Sequence, residues 1–113
     1  MNKKAIGSRW ETAAKDYIKQ CGYEIVCCNY RCFMGEIDMI AKEEQTLVFI
    51  EVKFRSSKRY GAAIESVDYK KQQKIRCVAT HFLVTTYHTE YIPCRFDVLG
   101  FDKGEITHIK NAF

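Results

Sequence analysis

The sequence predicts one α/β domain of 113 residues: a mixed β-sheet flanked by helices, in the order αβββαββ. Three observations carry this expectation. Two segments space their apolar residues at helical intervals, five short runs are rich in branched and aromatic residues, and turn-forming residues separate them. The length suits a modest core and a single domain spanning 1–113. Hydrophobic residues at 47% and aromatics at 13% belong to an ordinary globule, not a disordered chain.

The first helix is expected from about Arg9 to Cys21. Ser8 suits an N-cap, Glu11 three residues on would complete a capping box, and Gly22 marks the stop. Ala13, Ala14, Tyr17 and Ile18 give its apolar stripe. The first strand is expected over Tyr23–Tyr30, with a turn near Arg31–Met34. Gly35–Ile40 and Val48–Lys53 read as the second and third strands, joined as a hairpin through the polar Lys42–Thr46. Ser56–Gly61 has loop composition. Val67–Tyr87 reads as the second long helix, with Ile75, Val78, Ala79, Phe82 and Leu83 facing the core. Tyr91–Leu99, whose Pro93 suits a strand start, turns through Asp102–Glu105 into a last strand, Ile106–Ile109. A crossover through the second helix would set the fourth strand beside the third. These patterns leave other α/β arrangements open.

The chemistry concentrates on the central hairpin. Side chains alternate along a strand, so Glu36 and Asp38 share a face, as do Glu51 and Lys53. Glu51 follows a run, Leu47 to Ile50, that is apolar on both sides. The bland reading is a strand reaching solvent with a surface Glu–Lys pair. Against it, three carboxylates brought together repel one another unless a hard divalent cation neutralises them, and oxygen-only ligands suit Mg²⁺ or Mn²⁺. Lys53 beside them fits a phosphate group or an attacking water.

Charge is uneven. The chain carries a net +4, yet the segment from Lys53 to Arg76 holds eight basic residues against Glu65 and Asp68. Because that segment begins inside the carboxylate motif, a polyanion on it would lie near the acidic residues. Six cysteines in a chain without a signal-like N-terminus are expected to be reduced and mostly buried as small hydrophobes. A zinc site from Cys21, Cys27, Cys28 and Cys32 is the alternative, but there is no C-x₂-C pair, and adjacent Cys27 and Cys28 would point to opposite faces of a strand. Arg95 and Asp97 share a strand face and are expected to form a structural ion pair. No apolar run approaches membrane-spanning length, so the expected compartment is cytoplasmic, with no membrane partner.

An Asp, about a dozen residues, then Glu-x-Lys resembles the signature of the PD-(D/E)xK nucleases. The segments Gly35–Ala41 and Val48–Arg55 resemble more closely the two central motifs of the YraN-like family within that superfamily. The resemblance continues through Tyr60-Gly61, Ser66-Val67, Lys71-Gln72 and Arg95–Val98 to Ile109–Phe113, nearly the whole chain. It implies a restriction-endonuclease-like core and a Mg²⁺- or Mn²⁺-dependent endonuclease acting on DNA. Asp38 and Glu51 would hold the metal with the Val52 carbonyl, Lys53 would position the attacking water, and Glu36 and Glu11 would be auxiliary. Trp10 stands where that family has Gly before this first-helix Glu. Lys71, Arg55 and Lys74 would face phosphates. Similar spacing in archaeal junction resolvases adds branched DNA as a substrate and a homodimer as the assembly. Two other classes stay open: a nucleic-acid-binding module of the same fold without turnover, and a protein-interaction domain whose carboxylates pair with Lys53 and Arg55.

Overall fold

The computed structural model describes residues 3–55, 67–102 and 105–113. In chain order the elements are α1 (Lys3–Gln20), β1 (Glu24–Cys32), β2 (Gly35–Glu43), β3 (Thr46–Arg55), α2 (Tyr69–Tyr87), β4 (Cys94–Asp102) and β5 (Glu105–Ile109). The five strands lie in the order in which the chain makes them. All neighbours are antiparallel except β3 and β4, which run parallel from Leu47↔Cys94 to Arg55↔Asp102. The mixed sheet, the αβββαββ order and the placing of β4 beside β3 are as the sequence predicts.

Each face of the sheet carries one helix, because β3 is apolar on both sides. Leu47 and Phe49 join Ile75, Val78, Ala79, Phe82 and Leu83 of α2 in one core cluster. Val48 and Ile50 join Ala14 and Ile18 of α1 in the other. The α2 stripe is the one that helical spacing selects. Asp68 caps α2 by accepting from the Lys71 N–H at 2.9 Å. Gly22, at φ 89°, ends α1 in a Schellman motif, with Gly22 N–H donating to the Lys19 carbonyl and Tyr23 N–H to that of Ile18.

Three expectations are corrected. α1 begins at Lys3, so Ser8 lies inside the helix and does not cap it. Lys3, Lys4 and Ala5 are good helix formers and carry the helix upstream past the serine. Glu11 is therefore not a first-turn residue. The cysteines are free, as expected, but none is fully buried: Cys21, Cys77 and Cys94 are exposed and Cys27, Cys28 and Cys32 half-buried. Loss of hydration around the sulfur still raises the Cys28 and Cys94 thiols above their ordinary value. The hairpin connection is also tighter than the polar run suggests, since Glu43 pairs with Thr46 and only Glu44 (φ 54°) and Gln45 turn. The Ser56–Gly61 loop and the Lys103-Gly104 turn lie outside the described residues.

Candidate functional site

Strands β2 and β3 part company at one end. Their pairing stops at Met39↔Ile50, while β3 continues alongside β4 as far as Arg55. Beyond the fork, β3 residues have lost a backbone partner on the β2 side. The Val52 N–H meets that loss by donating to Asp38 Oδ2 at 2.8 Å. A strand residue directs its N–H and C=O to the same edge, so the Val52 carbonyl belongs to the same notch.

Glu51 sits at this fork, with 7% of its surface exposed. Its carboxyl lies within hydrogen-bonding reach of Asp38. Burial, then the Asp38 carboxyl beside it, push Glu51 up to about 8. Two ammonium groups pull the other way. Lys71 Nζ of α2 stands 3.6 Å from Glu51 Oε2 and Lys53 adds a weaker attraction. Lys53 is itself lowered, first by burial and then by Lys71 beside it, while Glu51 and Asp38 partly restore it. The result is a close carboxyl pair with two crowded ammonium groups, and Glu51 favours its neutral form there.

A cavity of about 270 Å³ opens onto the pair, lined by Glu36, Asp38, Glu51, Lys71 and Lys74 together with Gly35, Ile75 and Val78. The structure thus brings together Asp38, Glu51, Lys53, Lys71 and, on the wall, Glu36 and Lys74. Glu36 also accepts from Arg31 Nε at 3.1 Å, which turns its charge partly outward. Glu11 is engaged elsewhere: it accepts from Asn29 Nδ2 at 3.2 Å and pairs with Lys15 at 3.4 Å. The Arg55 side chain lies outside the described residues. The Lys71–Glu51 contact joins helix to sheet across the crossover, and no local sequence pattern announces it.

Oxygen-only donors of this kind fit a hard cation. Mg²⁺ is commonly held by one or two carboxylates and completes its shell with water and substrate phosphate. Asp38, Glu51 and the Val52 carbonyl meet that need, although among the described residues no three His, Cys, Asp or Glu side chains cluster as a metal cage.

A second polar cluster lies on the α1 face. Asp97, with 0% exposure, accepts from Arg95 Nε at 3.1 Å, His108 Nε2 at 2.8 Å and Asn111 N–H at 2.9 Å. Arg95 also donates to Glu43 Oε1 at 2.6 Å and to the Tyr23 hydroxyl. Tyr17 closes the network 3.3 Å from His108 Nδ1. Burial alone would raise Asp97, but the bonds from His108, Arg95 and Asn111 outweigh it and hold the carboxyl below its ordinary value. The Arg95–Asp97 ion pair is as the sequence predicts. No described helix is long and apolar enough to cross a membrane.

Residues 10–101 match the family described as "Uncharacterised protein family UPF0102". A "UPF0102 protein" of Lachnoclostridium phytofermentans is 45% identical, covering 100% of this chain and 96% of its own. One from Desulforamulus reducens is 46% identical, over 99% and 98% of the two chains. One from Caldicellulosiruptor bescii is 43% identical over 100% of both.

Proposed function

The chain belongs to the UPF0102 family, and from its site we propose a Mg²⁺- or Mn²⁺-dependent nuclease that hydrolyses phosphodiester bonds in DNA. The observation that carries this reading is the fork. Asp38 and the nearly buried Glu51 lie within hydrogen-bonding reach there, next to Lys53 and Lys71, where β2 and β3 separate. The position of these groups on the central hairpin supports a restriction-endonuclease-like core. Branched DNA and a homodimer follow by analogy of fold, while a cytoplasmic setting is the expectation drawn from the sequence.

Asp38 and Glu51 would hold the metal with the Val52 carbonyl. When bound, Mg²⁺ supplies positive charge against phosphoryl oxygens and makes water more acidic. The Val52 N–H fixes one oxygen of Asp38, so the carboxylate keeps its orientation as Glu51 loses its proton. Lys53, weakened as an acid-retaining group by burial and by Lys71, orients the attacking water and steadies the charge that develops on the phosphoryl group. Lys71 has an exposed flank and can turn from Glu51 to a substrate phosphate. Glu36 borders the cavity as an auxiliary acid.

Asp38→Asn and Glu51→Gln are expected to abolish Mg²⁺-dependent cleavage across a panel of linear, flapped and four-way DNA, with no loss of melting temperature. Undiminished cleavage by either purified variant would end the assignment. A second reading, a DNA-binding module without turnover, draws on Lys71 already occupying one side of Glu51. It predicts binding to the same panel in Ca²⁺ and no cleavage in Mg²⁺ or Mn²⁺.

A further inference from the structure

Beside the carboxylate cavity lies a larger hollow of about 480 Å³, lined by Met34, Tyr69, Lys70, Gln73, Lys74 and Cys77. It runs between the β1–β2 turn and the first turns of α2. Lys74 borders both cavities, so the hollow opens beside the carboxylate pair. Its chemistry is different from that of its neighbour. Met34 and Cys77 contribute apolar lining, Tyr69 lines it with 73% of its surface exposed, and two lysines line it as well. An aromatic ring so open at a helix start contributes little to the core. Beside two lysines it offers an aromatic surface and positive charge to one ligand.

We propose that this hollow is a stacking subsite for an unpaired nucleobase in the strand whose phosphodiester reaches Asp38 and Glu51, an inference that rests on the nuclease reading above. Three features select this occupant. A tyrosine ring offers its π-face to any base, and the soft Met34 thioether can pack on the opposite side. Lys70 and Lys74 lie where the flanking phosphates of the same strand would pass, and phosphate contacts fix register without reading sequence. The Gln73 amide presents a donor and an acceptor, which can meet a base edge only when that edge is free. A base within a duplex has both faces covered by its neighbours, so Tyr69 can engage it only after it leaves the stack. The substrate class is therefore DNA with a single-stranded segment flanking the scissile bond.

The test is fluorescence-anisotropy binding of the whole chain in Ca²⁺ to three labelled probes: oligothymidylate, the same backbone with abasic sites, and a blunt duplex hairpin. Wild type is expected to favour oligothymidylate over the abasic strand. Tyr69→Ala should weaken oligothymidylate binding by about tenfold, the scale of one lost base–aromatic stack, and change the other two probes by less than about twofold. Tyr69→Phe keeps the ring and should retain wild-type affinity, which separates stacking from misfolding. Equal losses on thymidylate and abasic strands, or no loss on thymidylate, overturn the subsite, as does wild type binding none of the probes. The nuclease reading fails separately. If wild type binds thymidylate through Tyr69 yet cleaves nothing in Mg²⁺ or Mn²⁺, the subsite stands and the hydrolase does not.

Discussion

Glu51 and Asp97 stand on neighbouring parallel strands, are buried to 7% and 0% exposure, and are shifted in opposite directions. The difference lies in what each carboxyl meets. Asp97 faces an arginine, a histidine and a backbone N–H, all within 3.1 Å. Glu51 faces a second carboxyl, with Lys71 at 3.6 Å and partly in water and a weaker pull from Lys53. Burial costs both of them ionisation; fixed donors repay it for Asp97 only. A carboxylate satisfied by the fold is structure. One that is nearly buried and short of positive charge is poised for a ligand that brings it.

The largest effect should come from removing the satisfied partner. Asp97→Ala leaves Arg95 without its main anion and is expected to cost about 3–5 kcal/mol, the scale for breaking a buried pair, read by urea unfolding. Glu51→Gln should cost nothing or stabilise, because it removes a carboxyl that is strained when ionised. If the two variants lose equal stability, the distinction between the two sites collapses.

A smaller effect sharpens the same contrast through pH. Unfolded Glu51 ionises near 4.5, whereas the folded chain holds its proton up to about 8. Its contribution to stability is therefore complete below pH 4.5 and is lost as pH rises towards and through 8. Asp97 has the reverse sign: its contribution is present above its ordinary 3.8 and disappears as pH falls through its lowered value. The melting temperature of wild type should fall between pH 5 and pH 8 relative to Glu51→Gln, and Mg²⁺ should restore it at the alkaline end. A Glu51→Gln curve that runs parallel to wild type, with no response to Mg²⁺ in either, would contradict both the shift and the cation site.

Much of this was legible from sequence where neighbours in the chain are also neighbours in space. The α2 stripe, the hairpin carrying Asp38 and Glu51, and the Arg95–Asp97 pair depend on periods of 3.6 or 2. What was hidden depends on long-range docking. Tyr17, Tyr23, Glu43, His108 and Asn111 converge on Arg95 and Asp97 from four separate segments, and no spacing among them signals it. Lys71 meets Glu51 only because α2 crosses back over the sheet. The start of α1 departs from the capping pattern for another reason. Ser8 satisfies a local capping pattern, but the good helix formers before it decide the matter. Cysteine burial departs from expectation because residue type gives only an average: Cys27, Cys28 and Cys32 lie at the margins of the two core clusters, and Cys21, Cys77 and Cys94 lie exposed outside them.

The parallel junction of β3 with β4 also sets an order of events in folding. The β2–β3 hairpin closes a short loop, so Asp38 and Glu51 are expected to meet early, with Glu51 still in water. The environment that raises Glu51 arrives later, when the long crossover closes and α2 and β4 dock. Loss of hydration around an ionised Glu51 therefore falls on that late, non-local step. Stopped-flow refolding should slow by a few-fold between pH 6 and pH 9, a change on the order of 1 kcal/mol in the barrier, and Glu51→Gln should fold at one rate across the range. On that expectation Glu51, the acid proposed to hold a metal, would also act as a brake on the closing of its own sheet.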